Sequence, residues 1–247
     1  MVKLLIIADD FTGALDTGVQ FAARGAATRV VTDLAYDFTL ADAEVLVMVA
    51  ETRHLPPEEA YDVVYRTARN AREAGIPYIY KKTDSALRGN IGSELTAVMD
   101  AAGSDTIAFL PAFPKMGRVT RNGVHYVDGV PVAESVFGKD PFEPVKASAV
   151  AQIVGGQTEV PVVLHRLDEA AVPGAPGIQV YDATTDEDLA RIGGELGTER
   201  RLCGLCHGAG RCSWTKWHRA ANASTAVRLL RGLRQCEPCD PAADAVG

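Results

Sequence analysis

The sequence predicts an α/β fold: a doubly wound, mostly parallel sheet with a β-hairpin insertion, followed by an atypical cysteine-rich tail. Three observations carry this. Short, almost wholly apolar runs alternate with helical patterns through residues 1–200. The runs lack polar alternation, which marks strands buried on both faces. Polar residues collect where the runs end, and parallel strands put those ends on one edge of the sheet.

Val2 to Ala8 is the first run, and it stops at Asp9-Asp10-Phe11-Thr12-Gly13-Ala14. A helix is predicted from there to about Arg24, with Leu15, Val19 and Ala22 on one face and Gly25 as its stop. Thr28 to Thr32 is the second strand; Glu44 to Ala50 is the third, ending at Glu51-Thr52-Arg53. Pro56-Pro57-Glu58-Glu59 opens a long helix ending near Gly75, because proline suits the first helical turn and acids suit the positive end of the dipole. Ile76 to Tyr80 is a strand, a helix runs from near Asn90 to about Ala102, and Thr106 to Leu110 is a further strand. Pro111 to Arg118 then reads as a rigid loop, and Val124 to Val132 as a hairpin around Asp128-Gly129. That hairpin is either a flap over a site or an ordinary insertion. Beyond the Pro-stiffened connector Asp140 to Pro144, Ala149 to Gly155 is helical, Val160 to His165 and Gly177 to Tyr181 are strands, and Thr185 caps a helix from Asp186 to Leu196.

The chain has 247 residues, 47% of them hydrophobic, which is ample for a core. No run approaches the length of a membrane span, and the N-terminus leads straight into a strand pattern, so a cytoplasmic protein is expected. A net charge of −7 argues against binding nucleic acid through a general basic field. The average hides a break. Residues 201–247 hold seven Lys/Arg against three Asp/Glu, a net of +4, together with all 5 cysteines and both tryptophans. The expected division is therefore an α/β domain over 1–200 and a distinct, loosely ordered tail over 201–247. Cys203-x-x-Cys206 and Cys236-x-x-Cys239 suggest zinc knuckles, but 29 residues separate them, beyond the usual range of about 15–20, and no strand pattern flanks either. No metal site is assigned.

The loop Lys81-Lys82-Thr83-Asp84-Ser85-Ala86-Leu87-Arg88-Gly89 joins a buried strand to a helix and is too polar for a plain connector. Lysines and an arginine there suit an anion; Asp84 suits a hydroxyl or a metal. The plainer alternative is a solvated turn with Asn90 as N-cap. Strand alternation turns Lys81 and Lys82 to opposite faces, so one of them points at the site. Asp9 and Asp10 could accept sugar hydroxyls, act as a base or hold Mg²⁺; one acid, or Thr12, would suffice merely to cap the helix. Thr12-Gly13 offers backbone N–H groups to an anion, without Walker-A or Gly-x-Gly-x-x-Gly spacing. Arg118, Arg121 and Asn122 could close over a ligand, or be ordinary loop charges. His54, His125 and His165 read as structural or surface residues.

With these residues in view, the chain resembles the four-carbon acid sugar kinase family, in its sugar-binding N-terminal domain, from about Val2 to Arg201. The carriers are Ala8 to Ala14, Lys81 to Asn90, Pro111 to Pro114 with Gly117-Arg118, the hairpin from Asn122-Gly123 to Pro131, and Asp140-Pro141. Glu51-Thr52-Arg53 is similar to a family Asp-Thr-Arg. The resemblance implies ATP-dependent phosphorylation of a hydroxyl on a four-carbon sugar acid such as threonate, erythronate or an oxo-tetronate, with ATP and Mg²⁺ held mainly by a C-terminal domain. It implies substrate contacts from Asp9, Asp10, Thr12, Gly13, Arg53, Lys82, Asp84, Ser85, Arg88, Gly89 and Arg118, with Asp84 the first choice for general base and Asp10 the next. A small sugar acid is the expected partner, with no nucleic acid or membrane and with a homodimer as the assembly to test. The alternative is a sugar-acid-binding module without catalysis.

The chain departs from the family after the helix ending near Gly197, where a strand and a Gly-Ser-Ala-Gly-like loop would open the nucleotide domain. Skipping one base from Gly204, with permissive GC-rich codons, re-reads Gly204 to Ser213 as Ala-Ser-Ala-Thr-Ala-Leu-Ala-Asp-Ala-Leu, similar to that loop and its helix. A frameshift is therefore hypothesised, with this chain alone expected to be inactive. Sequencing the gene tests it: the next frame should hold a long kinase-like continuation, and its absence removes the idea.

Overall fold

The computed structural model describes residues 1–170, 175–196 and 202–205. An 8-stranded sheet has the order β2-β3-β1-β4-β11-β5-β10-β9. Its strands are β1 (Leu4–Ala8), β2 (Thr28–Val31), β3 (Val45–Val49), β4 (Tyr78–Lys82), β5 (Thr106–Leu110), β9 (Val162–His165), β10 (Gly177–Tyr181) and β11 (Leu202–Leu205), and every pairing is parallel. The fully buried β1 and β3 are the apolar runs expected of such a sheet.

Side chains alternate between two cores. Leu5, Ile7, Ile79 and Phe109 pack with Val64 and Ala68 of α2 (Pro57–Glu73), Leu95 and Val98 of α3 (Ile91–Ala102) and Val150 of α4 (Val150–Gly155). Leu4, Ile6, Val47 and Tyr80 pack on the opposite side with Ala14 and Phe21 of α1 (Phe11–Ala22) and Leu189 and Ile192 of α5 (Asp186–Leu196). Helices thus cover both faces, as the sequence pattern implies.

A 3-stranded antiparallel sheet forms the insertion: β6 (Arg118–Arg121), β7 (Val124–Val127) and β8 (Val130–Pro131). The turn at Asp128-Gly129 was legible in the sequence; β6 was not, because its Arg-Val-Thr-Arg carries little apolar signal.

Two expectations are corrected. On α1, Leu15 and Val19 are 45% and 55% exposed, while Ala14, Thr17, Gly18 and Phe21 face the sheet. Helix α1 carries two stripes at helical spacing, and the one with smaller residues lets it approach the strands: a Cβ on Gly18 would lie 3.5 Å from side-chain atoms of both Val30 and Val47. Secondly, the sheet does not end before residue 201. Strand β11 fills the gap between β4 and β5 and includes Cys203, so a strand does flank the first Cys-x-x-Cys. The expectations for the rest of the tail lie outside the described residues. No helix among the described residues is long and apolar enough to cross a membrane.

Beneath the sheet edge lies a buried ion pair. Lys81 on β4 and Glu94 on α3 are both 0% exposed, and their charges meet at 3.0 Å. Lys81 also donates to the Lys82 carbonyl at 2.8 Å, and Thr52 donates to Glu94. Burial raises the Glu94 pKa, with the Lys81 charge opposing it. Removing one partner of such a pair strands the other charge. Lys81→Met is expected to destabilise the fold by about 3–5 kcal/mol in urea denaturation, and Lys81→Met with Glu94→Leu by less. A Lys81→Met protein as stable as the parent would show that the pair holds nothing.

Candidate functional site

The sheet puts the candidate residues at its topological switch point. From β1 the chain leaves through α1 towards β2 and β3; from adjacent β4 it leaves through α3, on the other face, towards β5. Crevices at such points are where α/β sheets bind ligands. The register pairs Ala8 with Lys82, so Asp9-Asp10 and Thr83-Asp84 emerge side by side.

Arg53, after β3, binds this edge together. Its Nε donates to Asp9 Oδ2 at 2.7 Å, its Nη2 lies 2.7 Å from the same oxygen, and its Nη1 lies 2.8 Å from Asp10 Oδ2. Asp84 Oδ1 is 3.7 Å from Nη2. Burial works against the Arg53 charge, but Asp9, Asp84 and Asp10 overcome it and raise its pKa. Asp84 in turn takes a two-point contact from Arg88, Nε to Oδ2 at 2.9 Å and Nη2 to Oδ1 at 3.0 Å, and Arg88 Nη1 reaches Asp140 Oδ2 at 3.2 Å. Burial pushes the Asp84 carboxyl up; the hydrogen bonds and charges of Arg88 and Arg53 outweigh it and bring it to about 2. The buried Asp9 keeps one oxygen, Oδ1, that accepts no hydrogen bond among the described residues.

Backbone shape supports this web. Gly89 lies at φ 82° against Arg53, where a Cβ would come within 3.1 Å of the Arg53 carbonyl oxygen. Gly13 sits where a Cβ would be 2.6 Å from Asp10 Oδ1 and 2.7 Å from Lys82 Nζ, so only glycine lets these groups converge. Lys82 faces α1, whereas Lys81 faces α3, as strand alternation requires. The Gly13 N–H is already donated to Asp10 Oδ1 at 2.8 Å and serves as a cap. Thr12 is exposed in the first turn of α1. Asn90 holds the N-cap position, but its side chain donates to the Thr52 and Leu55 carbonyls at 2.9 and 2.8 Å instead of capping.

The insertion joins the site through His125, and the 3-10 turn after it, Val136–Lys139, joins through Phe137. His125 is buried; its Nε2 lies 2.9 Å from the Ser85 carbonyl oxygen, which acts as acceptor, and its Nδ1 lies 3.0 Å from Thr120 Oγ1. Phe137 lies under the guanidinium groups of both Arg88 and Arg118, at 5.0 and 5.4 Å from the ring centroid. Arg121 instead lies over Tyr126, away from this group. Asp9, Asp10, Arg53, Asp84 and Arg88 therefore form one charge web, flanked by Lys82, Gly13 and Gly89, while Ser85 contributes its carbonyl to His125 and Arg118 meets Arg88 only through Phe137. Sequence reasoning missed Phe137 and Asp140 as site residues. Asp140-Pro141 carried a family signal, but Phe137 had none in its neighbours.

The family description "Sugar-binding N-terminal domain" matches residues 4–210. The chain belongs to this family. A D-threonate kinase of Salmonella typhimurium is 39% identical over 203 residues, 77% of this chain and 48% of that protein. A D-erythronate kinase of Heliobacterium modesticaldum is 36% identical over 210 residues, 78% of this chain and 47% of that protein. The chain thus spans about half the length of these relatives. Among solved structures, a domain of unknown function from Bordetella bronchiseptica, a domain-swapped dimer with bound citrate, aligns with a TM-score of 0.77 at 32% identity, over 89% of this chain and 58% of that one.

The site makes a pH prediction. Burial, first, pushes His125 down to about 4, with Arg118 adding to it and the Ser85 hydrogen bond and Asp84 opposing. Its folded pKa lies below the unfolded value of about 6.5, so its contribution is complete above pH ~6.5 and is lost as pH falls towards 4. Melting curves should show a loss of roughly 2–3 kcal/mol over that window, and His125→Gln should flatten it. An equally steep profile in His125→Gln would assign the loss to other groups.

Proposed function

We propose that this chain is the substrate-binding part of an ATP-dependent kinase acting on a hydroxyl of a four-carbon sugar acid of the threonate, erythronate or oxo-tetronate type. The observation that carries the reading is Asp9: buried, charge-compensated by Arg53, and with one oxygen uncommitted. A desolvated carboxylate oxygen without a donor is costly, about 1–3 kcal/mol or more for a charged group, so a sugar hydroxyl fits there. Arg88, Arg118 and Lys82 supply the positive charge for the acid end of the substrate. The relatives named as D-threonate and D-erythronate kinases support the substrate class, and the citrate-bound relative supports a carboxylate ligand and a homodimer.

Asp84 is a poor general base in this setting. A carboxyl held at about 2 by two guanidinium groups binds a proton weakly at neutral pH, so its role is to hold Arg88. We assign acceptance of the attacking hydroxyl to Asp9, with Asp10 beside it. Family membership implies ATP and Mg²⁺ for the whole enzyme, but the donors here do not fit a metal. Asp9, Asp10 and Asp84 each face a guanidinium group, and no cluster of three metal-ligating side chains exists among the described residues.

A second reading, favoured by the match to a sugar-binding domain over residues 4–210, is a sugar-acid-binding module without turnover. Calorimetric titration with D-threonate and D-erythronate, with and without ATP, tests both. Binding without ADP production is expected, and Asp9→Asn should weaken it by about 10–100-fold, the loss of one charge-assisted hydrogen bond. Failure of the parent chain to bind any four-carbon sugar acid would refute the assignment; turnover would refute the module.

A further inference from the structure

We propose that Phe137, in the 3-10 turn Val136–Lys139 that follows the insertion, is a positioning residue for carboxylate recognition, holding Arg88 and Arg118 together as the acid-binding element of the site. This rests on the functional reading above and adds a residue to it that lies outside the sheet edge. Two cations on one aromatic ring, at 5.0 and 5.4 Å, repel each other, and what offsets that repulsion differs between them. Arg88 is matched by Asp84 and Asp140. Arg118 is not matched in the same way: Asp128 lies 3.5 Å from its Nη1 but is 73% exposed, and its buried Nε donates to nothing among the described residues. Arg118 is thus the less compensated cation, held beside an arginine that already stands in the charge web. An added anion is the partner that would relieve both.

The segment around Phe137 is built to hold still. Phe137 N–H is capped by Ser135 Oγ at 3.2 Å, and its carbonyl accepts from Val145 N–H at 3.0 Å. Asp140 Oδ1 accepts from Phe142 and Glu143 N–H at 2.9 and 3.0 Å while its Oδ2 faces Arg88. An aromatic platform fixed at both ends orients guanidinium planes at a small entropic penalty, which a merely apolar side chain of equal bulk cannot do.

The test uses the whole chain and D-threonate as the probe. Phe137→Leu keeps an apolar side chain and removes the ring; Phe137→Tyr keeps the ring. Calorimetric Kd values are measured alongside melting temperatures. Phe137→Leu should weaken threonate binding by about three- to tenfold with little change in melting, and Phe137→Tyr should stay within about twofold of the parent. Parent-like binding by Phe137→Leu, or an equal loss in Phe137→Tyr, would overturn the positioning role while leaving the functional reading intact. No threonate or erythronate binding by the parent chain would overturn the functional reading and this inference with it.

Discussion

Arg53 sets the terms for the rest of this edge. A guanidinium group placed almost out of water is tolerable only if carboxylates surround it, and three do: Asp9, Asp10 and Asp84. Asp9 and Asp10 follow β1 and Asp84 follows β4, so the charge requirement of Arg53, after β3, ties together the C-terminal ends of three adjacent strands. Asp9 also contributes its backbone: its carbonyl accepts from the N–H groups of Thr52 and Arg53 at 3.0 and 3.3 Å. The Arg53 loop is therefore tied down twice, once through amide groups and once through charge.

Below this web the Lys81–Glu94 pair repeats the same logic in a drier place. Thr52 touches both systems, being adjacent to Arg53 and donating to Glu94, while Asn90 holds the Thr52 carbonyl. Thr52 is thus the link by which a substitution in the lower pair can reach Arg53. The like-charge effect of Asp9 on Glu94 runs in the same direction as burial, raising the Glu94 pKa. The two layers are electrostatically one object.

The chemistry on adjoining strand ends was legible in the sequence, because Asp9-Asp10 and Lys81 to Arg88 each follow a largely apolar run, and parallel strands deliver those ends to one edge. The opposite facing of Lys81 and Lys82 followed from alternation alone. What was not legible had no local signature. Helix α1 has apolar residues on two stripes, and only the sheet decides that the Ala14–Gly18 stripe goes inward. The pairing of Arg53 with Asp9 spans 44 positions, and the meeting of Phe137 with Arg88 depends on how the insertion folds back. Strand β11 has four residues and inserts between strands made much earlier in the chain. No short-range pattern announces such a placement.

The web also constrains how a ligand can enter. Arg88 is already partnered by Asp84 and Asp140, so on the proposed reading an acid group seated at Arg88 and Arg118 adds to these ion pairs and does not replace them. Two buried groups lack a hydrogen-bond partner among the described residues, Asp9 Oδ1, an acceptor, and Arg118 Nε, a donor, and on the proposed reading these are where a sugar acid gains most. Because the carboxylates and guanidinium groups of the sheet edge neutralise one another, the edge is assembled without a ligand, and on the proposed reading binding need not supply the energy to assemble it.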